Sequence, residues 1–387
     1  MSDAKSRAQP KITAWLCPDR VFDGQSLLEG HALGLGRDHV IELRKLSDLP
    51  AGAILQPISG TVTPGFLDLQ VNGGGDVLLN AEPTPAGMAA IAAAHRRFGT
   101  VGILPTLITD APEVLDRAAE AALAARGRHG ILGLHIEGPH ISVARRGTHA
   151  TGFIRPLDDR TIAVVKRLRA ARIAVMITVA PEATGPGQIA ELAKTGAVVS
   201  LGHSDTTAER VRDALAAGAN CFTHLFNAMS PMLNRAPGVT GCGINSTAYA
   251  GIICDGIHVA DEMVGLAIRA RPSPDTTFLV SDAMPTVGGS DRFSLYGDEI
   301  RLEGRRLVNS EGSLAGAHVT MAESLARLIH GVGIAPDAAL RMAVTVPARV
   351  IGMPQLAQIT GRRLEDLLVL DAHWQVSSTC AALAVAA

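Results

Sequence analysis

The chain has 387 residues, 47% of them apolar and 3% aromatic, and a formal net charge of −2. That is enough for one large domain and a smaller one around an aliphatic core. The near-neutral charge carries no basic footprint for nucleic acid, so an anionic substrate has to be drawn in by a local site.

The first 60 residues read as short β-strands separated by turns, at 12–17, 32–36 and 40–43. From Pro64 and Gly65 onward, short apolar runs alternate with Ala-rich amphipathic segments. Eight runs have the near-continuous apolar character of parallel strands buried on both faces: 65–71, 101–108, 131–136, 173–179, 197–201, 221–226, 251–254 and 278–280. Helical patterns occupy 85–97, 111–126, 159–171, 188–195, 206–217 and 261–269. This alternation predicts an α/β fold, a (β/α)8 TIM-like barrel. A doubly wound sheet is the runner-up, but no GxGxxG follows a first strand.

Residues 285–318 read as an insertion with short strands at 299–302 and 306–308, and helices follow at 321–330 and 335–351. A last strand, 367–370, comes after the barrel is complete, and the N-terminal β region is its simplest partner. The expected layout is a small β-sandwich domain from 1–62 and 362–387, and the (β/α)8 barrel over 63–361.

Five scattered cysteines without a CxxC pair fit a reducing cytoplasm rather than a disulfide framework. The polar opening MSDAKSRAQPK has no signal-peptide core. The apolar tail from Cys380 to Ala387 is shorter than the ~20 residues that span a bilayer. No membrane partner is expected.

The polar residues gather at or just after strand ends. Gln70 and Asn72 end the first strand, and His135 and Glu137 the third. His203 follows the fifth, His224 lies on the sixth, His258 follows the seventh and Asp282 the eighth. In a (β/α)8 barrel these ends share one face, where active sites are built. One carboxylate and two imidazoles, Glu137, His203 and His224, make a donor set for zinc, ferrous iron or a similar ion, with a position left for water. Asp282 is then placed to take the water's proton and return it to a leaving amine. A lone histidine in an apolar strand is more often an ordinary core residue; it is the joint placement of the three that argues for a site. His135 reads equally as structural or as support for the ligands. Asp76, Asp110 and Asp205 read as turn or cap residues, with Asp205 an N-cap. Gly73–Gly75 reads as a tight turn.

The chain resembles the N-acetylglucosamine-6-phosphate deacetylase family of the amidohydrolase superfamily. The matching segments are TPGFLDLQVNGGG (63–75), LHIEGPHI (134–141), RRGTHA (145–150), TVAPE (178–182), LGHSDTTAE (201–209), THLFNAMSPMLNRAPG (223–238), GIICDGIHV (251–259), VSDAMPTVGG (280–289), GSLAGAHVTM (312–321) and EDLLVLD (365–371). The resemblance implies that Glu137, His203 and His224 hold the metal and Asp282 is the acid/base. It implies a sugar-site segment at Thr148 and His149, with His149 polarising the acetyl carbonyl or binding a sugar hydroxyl. It implies phosphate contacts from Asn227, Ala228, Arg235 and His258, and a closing segment at Leu314, Ala315 and Gly316. It further implies one divalent ion per subunit (zinc first, with iron, manganese or cobalt as alternatives), an amino sugar phosphate substrate, and a homodimer or homotetramer.

Two features depart from the wider superfamily pattern. Gln70 and Asn72 stand where many amidohydrolases carry an HxH pair, so one tightly held ion is expected. His140 stands where an apolar or aromatic residue is usual. The expected reaction is hydrolysis of N-acetylglucosamine 6-phosphate. The galactosamine epimer and a non-catalytic amidohydrolase-like barrel are the alternatives. Cys254, beside the DGIH segment, reads as a buried structural thiol.

Overall fold

In the computed structural model, which describes residues 11–310, 312 and 314–385, each of the eight apolar runs forms a parallel strand. They are Phe66–Val71, Thr100–Ile108, Gly133–Glu137, Ala174–Val179, Val198–Leu201, Cys221–Phe222, Tyr249–Ile252 and Thr277–Leu279. Each pairs with the next in chain order. The first three are buried at every position, the signature of strands covered by helices outside and by packed side chains inside. The seam between first and last strands is closed just beyond them. Val71 bridges Ala283 in parallel, and the Asp282 N–H donates to the Gln70 carbonyl at 3.0 Å. The (β/α)8 barrel is therefore confirmed.

The sixth strand is shorter than its apolar run because the chain turns at once. His224, Phe226 and Ala228 all have positive φ, 28°, 82° and 52°. His224 thus lies beyond the strand, not on it. Helices Pro85–Arg96, Pro112–Ala125, Asp159–Ala170, Gln188–Lys194, Ala208–Ala216 and Asp261–Ala270 fill the expected gaps. A further helix, Gly238–Ile244, is hidden in the sequence by its glycines, which are poor helix formers. The N-cap of Ala208–Ala216 is Thr207 rather than Asp205, which instead accepts a hydrogen bond from Arg145 Nε at 2.7 Å. The 335–351 helix is α-helical over Pro336–Leu340 and Val346–Val350, with a π-turn between, where the Val346 N–H reaches the Arg341 carbonyl. Pro347 explains the widening, since its ring would press on the carbonyl four residues back in a regular helix.

The insertion is a four-stranded antiparallel sheet, Arg292–Leu295, Asp298–Glu303, Arg306–Val308 and Leu314–Ala317, packed on a core of Leu78, Ile108, Met284, Leu295, Ile300, Leu307 and Ala315. Ala317 bridges Ala283, so this sheet is anchored to the segment that closes the barrel.

The barrel and the insertion belong to one unit, Phe66–Met353; a second is drawn from residues up to Gly65 and from Pro354 onward. The second unit's strands form one seven-stranded sheet, with Leu55–Pro64 between Ala14–Phe22 and Leu367–Leu370. Leu55–Pro64 escapes sequence reading because it carries Pro57, Gly60 and Pro64, which read as turn residues. Pro57 is tolerated because only Thr61–Pro64 pair on the second side. Leu16, Val21, Leu33, Val62, Leu367 and Val369 are among its core residues. Among the described residues no helix is long and apolar enough to cross a membrane. Residues 1–10 of the polar opening and the last residues of the apolar tail lie outside those described.

Candidate active site

Three ligand-type atoms converge beyond the strand ends. His224 Nε2 and His203 Nε2 lie 3.0 and 3.3 Å from Glu137 Oε1 and 3.0 Å from each other. All three side chains are buried. His203 and His224 sit on left-handed backbone, with φ of 48° and 28°, and Gly138 after Glu137 has φ 83°. Non-glycine residues adopt this conformation at a cost of order 1–3 kcal/mol each, which the surrounding structure must offset. The left-handed backbone comes where each strand has just ended.

Burial alone would raise the Glu137 carboxyl, but hydrogen bonds and charge from His203 and His224 pull it well below the ordinary carboxylate value. Burial would lower the His224 imidazolium, yet Glu137 holds it above its ordinary value. The centre therefore favours positive charge. Two ring nitrogens and a carboxylate oxygen this close repel through their lone pairs unless protons or a cation lie among them, so the donor set fits a divalent ion. His149 also offers a nitrogen near this point: ligand atoms of Glu137, His149 and His203 lie within 4.8 Å of one another. The atoms of Glu137, His203 and His224 form the closer triangle.

Asp282, with φ 53°, stands beside this centre. Its Oδ1 accepts from Asn72 Nδ2 at 2.7 Å and from Gln70 Nε2 at 3.1 Å, while Gln70 Nε2 also donates to Glu137 Oε1 at 2.9 Å. Gln70 thus bridges the two carboxylates as a donor. Asn72 Oδ1 is buried without a partner among the described residues. Burial, followed by the Glu137 charge, raises the Asp282 carboxyl above its ordinary value. Below it, buried Asp68 accepts from the Ser281 N–H at 3.2 and 3.3 Å and the Gln70 N–H at 3.2 Å, tying both sides of the barrel seam.

Thr148, His149, Asn227, Ala228, His258, Leu314 and Gly316 line the same cavity as Glu137, His203, His224 and Asp282. Ala315 does not; strand alternation turns it into the insertion core between Leu314 and Gly316. Arg235 is exposed and does not line this cavity. His135 faces inward like Glu137, but both its nitrogens engage threonine hydroxyls, Thr106 at 3.2 Å and Thr178 at 2.8 Å. Burial pushes its pKa down to about 4, so it serves as a neutral core residue. His140 turns away from the cavity. Its Nδ1 meets the Arg155 and Pro156 carbonyls at 3.1 and 3.0 Å, and Nε2 meets Thr161 Oγ1 at 2.9 Å. Cys254 is buried, and burial raises its thiol to about 12. Gly73–Gly75 opens a tight hairpin to Val77–Leu78.

Sequence reasoning passes over three residues that shape the site. Asp255 accepts the backbone N–H groups of Ile257 and His258 at 2.8 Å each, and its Oδ2 lies 2.7 Å from His258 Nδ1. The DGIH spacing, an Asp three before a His, carried that signal. Thr109 meets His149, and Gly138 leaves room for Thr109; no local pattern marks either.

Residues 61–385 match the Amidohydrolase family. The chain is 40% identical over 317 residues to an N-acetylgalactosamine-6-phosphate deacetylase of Shewanella sp. (strain ANA-3), spanning 81% of this chain and 80% of that protein. It is 31% identical over 325 residues to an N-acetylglucosamine-6-phosphate deacetylase of Haemophilus influenzae, spanning 82% and 84%. The crystal structure of the N-acetylglucosamine-6-phosphate deacetylase from Pasteurella multocida superposes with a TM-score of 0.86 at 31% identity, covering 95% of this chain and 97% of that one. The chain belongs to the amidohydrolase family and is a hydrolase. Within that family, its kin are these hexosamine-6-phosphate deacetylases.

Proposed function

We propose that this chain removes the acetyl group from N-acetylglucosamine 6-phosphate, giving glucosamine 6-phosphate and acetate. The observation that carries this reading is one cavity with Asp282 beside the Glu137, His203 and His224 cluster and an Asp255-braced His258 on its wall. Glu137, His203 and His224 would hold one divalent ion, zinc first. Such an ion supplies a Lewis acid and a water of lowered pKa. Asp282, held by Asn72 and Gln70, takes the proton of the attacking water and delivers it to the departing nitrogen. His149 donates to the acetyl oxygen as negative charge builds there. Asn227, Ala228 and His258 hold the phosphate, with the imidazole aimed by Asp255. Arg235, exposed on its loop and outside this cavity, would join the phosphate from a second subunit of a homo-oligomer. Five free cysteines, four of them buried, fit a reducing, cytoplasmic setting.

The galactosamine epimer is the second reading, favoured by the 40% identity to the Shewanella deacetylase. The test is amine release from the two N-acetylhexosamine 6-phosphates and their unphosphorylated sugars, with metal content measured on the same sample. Faster turnover of the glucosamine substrate supports the first reading. The reverse order supports the second, and preference for plain sugars overturns the phosphate assignment.

A further inference from the structure

His149 and His203 face each other across the site, ring centroids 4.4 Å apart. Both are neighbours of Glu137 and both could serve a metal by proximity alone. Their outer nitrogens, however, meet opposite kinds of group. His203 Nδ1 lies 2.9 Å from the Arg145 carbonyl oxygen, which can only accept. Its Nδ1 therefore carries a proton, and Nε2 is the nitrogen that faces Glu137 and His224. His149 Nδ1 lies 2.7 Å from Thr109 Oγ1 and 3.4 Å from the Thr109 backbone nitrogen. A backbone N–H can only donate, so this Nδ1 is an acceptor and the hydroxyl donates to it as well.

We infer that Thr109 is a positioning residue that locks His149 as the Nε2–H tautomer, making it a hydrogen-bond donor to the substrate and excluding it from the metal's ligand set. The inference rests on the deacetylase reading for the donor's use, but not for the tautomer itself. Thr109 is itself held on two sides. The Tyr296 hydroxyl, at the hairpin tip of the insertion, donates to its carbonyl. Gly138 lies so close that a Cβ there would stand 2.3 Å from Thr109 Oγ1. The insertion sheet thus reaches His149 through one threonine. Without this lock the neutral ring would also populate the Nδ1–H form, whose bare Nε2 repels a developing oxyanion and competes for the ion.

The test uses the full-length enzyme labelled with 15N-histidine, with the His149 resonances assigned by their loss in His149→Asn. Long-range 1H–15N correlation should show His149 protonated on Nε2. An Nδ1-protonated ring would overturn the inference, whatever the enzyme's activity. Thr109→Val keeps the shape but removes the 2.7 Å hydroxyl donor and leaves only the backbone N–H at 3.4 Å, so it should shift those resonances towards a tautomer mixture and lower kcat on the order of 10–100-fold at unchanged metal content. Thr109→Ser should restore both. Wild-type kcat and unchanged resonances in Thr109→Val would overturn the lock. Absence of deacetylation by the wild-type enzyme would instead strike the proposed function and leave the tautomer result standing.

Discussion

Asn72 donates its side-chain amide to Asp282 Oδ1 at 2.7 Å, although 210 positions separate them in the chain. The contact crosses the seam where the barrel closes, so closing the fold and placing the proposed acid/base are one event. An amide at position 282 keeps the shape but cannot take a proton. Asp282→Asn should lower kcat about 100- to 10,000-fold while metal analysis finds the ion still bound. Turnover near the wild-type rate would remove Asp282 from the mechanism.

The crowded nitrogens of His203 and His224 predict a fold that leans on its ion. Chelation should lower the melting temperature, and re-adding a divalent ion at 100- to 1,000-fold its Kd should restore about 3–4 kcal/mol. Glu137→Gln should lose the ion and, with it, the response. Identical melting curves with and without chelator would contradict the assignment.

Asp68 gives a pH signature in ion-free protein. Burial raises its carboxyl to about 7, against 3.8 as its ordinary value. Between those pH values the folded protein keeps a proton that the unfolded chain releases, so this group's contribution to stability falls as pH rises and flattens above about 7. From pH 5 to pH 7 the loss is on the order of 2–3 kcal/mol. Asp68→Asn should remove that slope. Parallel melting temperatures for both proteins across pH 5–8 would refute it.

Gly138 combines a φ of 83° with a Cβ position 2.3 Å from Thr109 Oγ1. Gly138→Ala should cost about 1–3 kcal/mol in stability, read from denaturant midpoints. Turnover should fall with it, because Thr109 must move. An alanine variant as stable and active as wild type would show that the site yields more easily than its geometry implies.

Asp255 gives a KM-against-kcat split. Asp255→Asn should loosen His258 and raise KM for the phosphorylated sugar on the order of 10-fold, with little change in kcat or in turnover of the plain sugar. A loss confined to kcat would take His258 away from the phosphate.

Periodicity located all eight barrel strands because each is a short apolar run buried on both faces. It missed Leu55–Pro64, whose prolines are permitted by its pairing, and Gly238–Ile244, whose glycines hide a helix. Glu137, His203, His224 and Asp282 could be picked out because barrel topology brings strand ends together whatever the sequence separation. Arg235 shows the limit: a matched residue that the structure leaves exposed on a loop.

The sequence by itself determined the barrel and which polar residues its strand ends gather, Glu137, His203, His224 and Asp282, since these follow from burial periodicity and residue type. Only the tertiary structure decided what each group does within the site. It turned His135 into a threonine-bound core residue and His140 into a loop anchor. It placed Asn72 and Gln70 as donors to carboxylates, and gave His149 and His203 opposite hydrogen-bond partners. The reason is physical: a histidine's tautomer and an amide's orientation are set by which donor or acceptor lies within about 3 Å. In this chain those partners come from segments as much as 212 residues away.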